Sequence, residues 1–185
     1  MTRAGGPPRE VRLIGGRLRR SKLPVADRPG LRPTPDRVRE TLFNWLGQDL
    51  DGWRVLDAFA GTGALGFEAA SRGAAEVWLL ERDPMLVGLL QASANRLKAD
   101  AVHIVRADAM AWMARAEGRF DLVLLDPPFD AGLGAAAVER ALPLLEPGGS
   151  IYLEAPEPLE DLPEGLVERR RLRAGAVSAQ WLTLH

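Results

Sequence analysis

From Trp53 onward the chain alternates between short apolar runs of strand character and helical stretches. That alternation restricts the possible folds more than any other feature. The strand-like runs fall at 54–59, 76–81, 102–107, 120–126, 150–155, 167–173 and 178–184. Helical stretches lie between them at about 64–72, 84–98, 109–116 and 132–145. Strands separated by helices are joined by crossovers, which gives a mostly parallel sheet covered on both faces. Only Ala174–Val177 separates the last two runs, so they are expected to form an antiparallel hairpin. The expectation is an α/β fold with a seven-stranded, mostly parallel sheet and a C-terminal antiparallel hairpin. A length of 185 residues with 46% hydrophobic content suits one such unit, here residues 51–185.

The first 50 residues read differently. Residues 1–10 are rich in Gly and Pro and are expected to be a disordered tail. Residues 11–50 read as a basic hairpin and helix extension. Val11–Arg20 suggests two short strands around a Gly15-Gly16 turn, and four prolines within 24–35 suggest an extended loop. A helix is expected from Thr34-Pro35, with Thr34 as its N-cap, ending near Gly47.

The formal net charge of −1 argues against a partner held by bulk positive charge. The average conceals a split. Residues 1–40 carry 11 Lys and Arg against 4 Asp and Glu, a net of +7, while the remainder carries 13 against 21, a net of −8. In the basic arm, Arg12, Arg17, Arg19, Arg20 and Lys22 read as phosphate contacts, with Arg32 in the following loop grouped with them. Binding to a polyanion is therefore expected to weaken with salt, chiefly through residues 1–22. Arg outnumbers Lys 22 to 2, which fits GC-rich codon usage before it argues for nucleic acid.

With no cysteine, there is no disulfide, thiolate nucleophile or cysteine metal site. His103 and His185 are too few and too distant for zinc, and no metal is expected. The absence of a long apolar run or hydrophobic leader makes a cytoplasmic protein without a membrane partner the default.

Val55–Gly66 reads as a strand, a tight turn and a helix start, with Gly61, Gly63 and Gly66 in a G-x-G-x-x-G spacing. Glu81 follows 20 residues after Gly61, at the end of the next strand, where a carboxylate can accept both hydroxyls of a ribose. Dinucleotides and S-adenosylmethionine (SAM) both use this layout. A pyrophosphate at the helix start disfavours a nearby negative side chain. Asp57, four residues before Gly61, thus favours the cationic amine and sulfonium of SAM, unless it merely caps the turn. Phe59, Thr62 and the glycines complete the expected cradle. Asp108 with Ala109, after the third strand, suits the adenine amino group; a helix N-cap is the other use for that acid, and both can hold.

The strand 120–125 ends in Asp126-Pro127-Pro128-Phe129. Prolines remove donors and rigidify a turn at the strand ends where α/β sheets bind ligands. A rigid turn alone is the simpler account. As chemistry, the set suits an exocyclic amino group, whose delocalised lone pair makes it a poor nucleophile. The Asp126 carboxylate and the Pro127 carbonyl can accept both N–H groups and stabilise charge developing on nitrogen, while Phe129 stacks on the base.

The chain resembles the bacterial RsmD family from Val11 onward, and that resemblance implies a class I SAM-dependent methyltransferase, a Rossmann-like fold. It rests on Arg12-Leu13-Ile14-Gly15-Gly16, Leu31-Arg32-Pro33-Thr34-Pro35-Asp36-Arg37-Val38-Arg39-Glu40-Thr41-Leu42-Phe43-Asn44-Trp45-Leu46, the loop from Phe59 to Gly66, and Asp126–Phe129. The acid-Pro-Pro-aromatic motif also occurs in adenine-N6 and protein glutamine methyltransferases, so the N-terminal block is the specific part. The family implies methylation of the exocyclic N2 of guanine 966, in conventional rRNA numbering, with 16S rRNA or the small ribosomal subunit as partner. It also implies that the block packs over the cofactor end of the site. Asp36, Arg37, Arg39 and Glu40 carry more charge than a helix start needs. A solvated face is one account, and contact of Arg37 or Glu40 with the methionine moiety of SAM is another. A DNA adenine-N6 methyltransferase is the enzyme alternative, and the chain lacks room for a target-recognition domain. The other alternative is a non-catalytic nucleotide- or RNA-binding assembly factor, against which the intact Asp126–Phe129 stands. A monomer is the simplest expectation.

Overall fold

The structure, a computed structural model, describes residues 9–185. The tail expected over 1–10 lies mostly outside the described residues; Glu10, its last residue, already belongs to a strand. A two-stranded antiparallel sheet pairs β1 (Glu10–Arg12) with β2 (Lys22–Pro24). Helix α1 (Asp36–Leu46) follows. Then come β3 (Arg54–Asp57), α2 (Ala64–Ser71), β4 (Glu76–Glu81), α3 (Pro84–Leu97), β5 (Val102–Arg106), α4 (Ala109–Arg115) and β6 (Phe120–Leu125). The chain ends with α5 (Gly134–Ala141), β7 (Leu145–Ala155), β8 (Leu166–Ala174) and β9 (Val177–Leu184).

The seven-stranded sheet has the order β5-β4-β3-β6-β7-β9-β8. Its first five members run parallel, and β9 is antiparallel to both β7 and β8. The expected α/β fold is therefore the observed one, including the terminal hairpin. Strand order reverses between β3 and β6, which opens a crevice at their C-terminal ends.

Period-two alternation sends successive residues to opposite faces. Leu122 and Leu124 join a core with α1, α2 and α3, whereas Val123 and Leu125 join one with α4 and α5. Burying a side chain of this size contributes about 1.5–3 kcal/mol. Val11, Leu13, Leu18 and Leu23 of the N-terminal extension sit in the first of these cores. His103 stacks on Trp78 of the neighbouring strand, with ring centroids 4.8 Å apart.

Two sequence expectations need correction. Arg17–Arg20 is not a strand: the second strand begins at Lys22, and residues 14–21 form a loop docked on α2. The reason is the set of partners on α2. Glu68 accepts from the N–H groups of Ile14 and Gly15, and the Ser71 hydroxyl accepts from the Leu18 N–H. Nor does Thr34 cap α1. Pro35 occupies that position without a side-chain cap, and the buried Thr34 hydroxyl turns inward to Glu154.

Candidate active site

Five consecutive strands of the sheet carry a carboxyl group at or just beyond their C-terminal ends: Glu81, Asp57, Asp126, Glu154 and, after β5, Asp108. Each has a local reason for its position. Asp57 closes β3, is 1% exposed, and accepts the Gly66 N–H through Oδ2 at 3.0 Å. Its other oxygen is buried with no donor. Gly66 cannot be replaced easily, since a Cβ there would lie 2.1 Å from the Leu79 side chain and 3.1 Å from Asp57 Oδ2. The turn thus presses α2 onto β3 and β4 as the spacing of the glycines requires.

Glu81 bridges two loops, its oxygens accepting from the Gly61 N–H at 3.0 Å and the Asp83 N–H at 2.9 Å. Lone pairs remain on both oxygens, and the side chain is partly exposed. Asp108 is exposed and accepts the Ala111 N–H at 2.9 Å, so it caps α4. Phe59 and Thr62 are half-buried on the same loop as Gly61, and Ala109 is buried.

Asp126 follows β6 and faces β7. The register sets Leu125 beside Leu153, which brings Asp126 next to Glu154. The two carboxyl groups are neighbours, and each shifts the titration of the other. Burial, reinforced by the Glu154 and Asp57 charges, holds the Asp126 carboxyl well above the usual carboxylate range. Burial also raises Glu154, opposed by donors from Tyr152 and Thr34 at 2.8 and 3.0 Å. Asp57 is pushed up to about 7, mainly by burial. Among the described residues, no N–H bonds the Pro127 carbonyl. Phe129 is 41% exposed, one of two large apolar side chains so placed among the described residues, and opens a single helical turn over Phe129–Ala131.

The extension contributes a network that the sequence did not reveal. Arg39, read as part of a charged helix start, is fully buried. It donates to Glu68 at 3.2 Å, to the Arg12 carbonyl at 3.0 Å and to Asp36 at 2.5 Å. Glu68 also binds Arg72 at 3.0 Å. Arg37 and Glu40 are exposed, whereas Arg39 belongs to no solvated face. Arg12, Arg17, Arg19, Arg20, Lys22 and Arg32 are all exposed. Arg28 pairs with Asp83 at 3.2 Å, which ties the proline loop to the start of α3.

Glu154 and Tyr152 also went unassigned in the sequence. The available signal was an acid near the end of an otherwise apolar run, Ile151-Tyr152-Leu153-Glu154, repeating the pattern of Asp57, Glu81 and Asp126. Among the described residues no group of three His, Asp or Glu is arranged to hold a metal, and no helix is long and apolar enough to cross a membrane.

Strand order, glycine turn and the acid-Pro-Pro-Phe strand end together define a class I methyltransferase. A family model described as "Conserved hypothetical protein 95" matches residues 11–183, and the chain belongs to that family, the RsmD family. It is 46% identical over 146 residues to ribosomal RNA small subunit methyltransferase D of Escherichia coli K12, covering 79% of this chain and 72% of that protein. The protein of the same name from Haemophilus influenzae is 40% identical over 151 residues, covering 78% of each. The solved structure of yhhF from Escherichia coli superposes with a TM-score of 0.86 at 36% identity, covering 95% and 98% of the two chains. The T. thermophilus 16S rRNA N2 G1207 methyltransferase, solved with AdoMet and guanosine, shares the fold at 24% identity and a TM-score of 0.67, covering 97% of this chain and 50% of that one.

Proposed function

We propose that the protein transfers a methyl group from SAM to the exocyclic N2 of a guanine in 16S rRNA of the small ribosomal subunit. The observation that carries this reading is Asp126 at the central crevice with the exposed Phe129 three residues on, in a chain whose curated relatives are named rRNA small subunit methyltransferases. The residues fit SAM. Asp57, with a buried oxygen that lacks a donor, suits the cationic end, and Glu81 has free lone pairs for a ribose. When bound, SAM would supply an electrophilic methyl group on a sulfonium, a leaving group that keeps the bonding electron pair.

The chain's own residues bind and orient. Gly61, Thr62, Gly63, Gly66 and Phe59 shape the cradle, Asp108 and Ala109 border the adenine, and Arg37 or Glu40 faces the methionine end. Asp126 and the Pro127 carbonyl accept the guanine amine, Pro128 fixes the turn, and Phe129 stacks on the base. Arg12, Arg17, Arg19, Arg20, Lys22 and Arg32 meet phosphates of the RNA. Most of the acceleration comes from positioning two reactants in line. The enzyme acts as a cytoplasmic monomer.

Small-subunit particles lacking the methyl group are expected to take label from SAM at one guanine. Labelling confined to DNA or to a protein would remove this reading. Asp126→Ala is expected to abolish turnover with SAM affinity nearly unchanged; equal loss of SAM binding would place Asp126 in the wrong role.

A further inference from the structure

The Asp126–Glu154 contact assigns a task to a residue outside the motifs. We propose that Glu154 is a positioning residue that acts through Asp126, receiving the proton the substrate amine must shed. This inference rests on the methyltransferase reading above.

The geometry has three parts. Register sets Glu154 beside Asp126 on the neighbouring strand. Glu154 is 4% exposed, and one of its oxygens accepts from both the Thr34 and the Tyr152 hydroxyls. Two donors on one oxygen are what an ionised carboxylate holds, and they leave the other oxygen for Asp126. Among the described residues no group donates to Asp126, so the proton the pair retains is assigned to Asp126, on the side of Glu154. The titratable groups around them are Asp57 on β3, with Glu81 behind it, and Tyr152 on β7. Across β9 the neighbours Ser178, Ala179 and Gln180 are uncharged, and among the described residues no ion pair reaches Asp126 or Glu154. On α1, two residues beyond Thr34, Asp36 is engaged by Arg39.

The proton balance follows. The unprotonated oxygen of Asp126 accepts one N–H of the guanine amine. Once nitrogen carries the methyl group it bears a positive charge and one proton too many. That proton passes to the free Asp126 oxygen as the proton already on Asp126 passes to Glu154. Asp126 is singly protonated before and after, Glu154 ends neutral, and it returns its proton to solvent after product leaves. Glu154 thus enters the step as an anion that offsets the positive charge developing on the amine, and it leaves the step neutral.

Infrared spectroscopy of the protein without cofactor tests the resting state directly. At neutral pH, Asp126→Asn is expected to remove a protonated-carboxyl stretch. Loss of an ionised-carboxylate band would overturn the proposal. In single turnover on small-subunit particles, Glu154→Gln is expected to slow methyl transfer on the order of a hundredfold. It should also abolish the acid limb that Glu154 gives the rate, with SAM affinity and melting temperature held. Glu154→Asp should restore part of the rate. Thr34→Val removes one donor from the Glu154 anion, so the acid limb should move to higher pH. A Glu154→Gln enzyme at the wild-type rate, or a limb unmoved by Thr34→Val, would overturn the assignment. If wild-type protein labels no rRNA, the function fails instead, and the infrared result stands apart from it.

Discussion

A single unpartnered oxygen on Asp57 has measurable consequences. Its carboxyl titrates near 7 in the folded protein and near 3.8 when unfolded, so the folded state binds the extra proton between those values. Stability should therefore fall as pH rises from about 4 to 7, by up to about 4 kcal/mol, and stay level above. Asp57→Asn should flatten that slope in thermal unfolding of the cofactor-free protein. A cationic ligand favours the ionised form, so SAM should bind more tightly as pH rises through 7, and the asparagine variant should lose that dependence in calorimetry. Arg39 poses the opposite case, a buried charge fully satisfied. Arg39→Leu takes one of two arginine partners from the buried Glu68 and the donor from the Arg12 carbonyl, and should cost up to about 3 kcal/mol in denaturant unfolding. Nothing in the sequence distinguishes Arg39 from the exposed Arg37 two positions earlier. Only the partner on α2, 29 residues on, makes the difference.

Among elements, those with local signals were legible and those with distant partners were not. The helix α3 begins as its sequence indicates, with Asp83 accepting the Met85 N–H at 2.9 Å and Pro84 in the first turn. Asp83→Ala should destabilise the protein by about 1 kcal/mol through that cap, with Arg28 losing its partner as well. The strands of the main sheet were visible as strand-like runs, most plainly the central β3 and β6, where cover on both faces makes the run almost continuously apolar. The N-terminal loop was not. Gly15-Gly16 reads as a hairpin turn from its neighbours alone, yet Gly16 takes a φ of 76° where a Cβ would meet the Ser71 carbonyl oxygen at 1.9 Å. Contact with α2, not a turn between strands, sets its conformation. Thr34 was misread for the same reason. A Thr-Pro pair before a helix signals a cap, and its actual partner is 120 residues away. The four carboxylates Asp57, Glu81, Asp108 and Asp126 were legible as strand-end acids. The pairing of Asp126 with Glu154 depends on register across β6 and β7, which sequence periodicity does not fix.

At the scale of the whole molecule, the charge split and the packing must be separated experimentally. Deleting residues 1–22 would remove Leu13 and Leu18 from the core and would empty the sites on Glu68 and Ser71. Reversing the exposed Arg17, Arg19 and Arg20 to Glu leaves that packing in place. The triple variant should bind RNA particles more weakly and lower the slope of log affinity against log salt by about 0.7 per lost contact. An unchanged slope would move the RNA face elsewhere. The long span of these contacts also bears on how the chain is made. Synthesis proceeds from the N-terminus, and a growing chain folds what it can as it emerges. Residues 14–50, however, find their rivets only when Glu68, Ser71 and Arg72 appear, and Thr34 waits for Glu154. The basic arm is thus translated before its anchors and is among the last parts to settle. A nascent chain stalled before α2 should leave its arm open to protease, and one stalled beyond β7 should protect it.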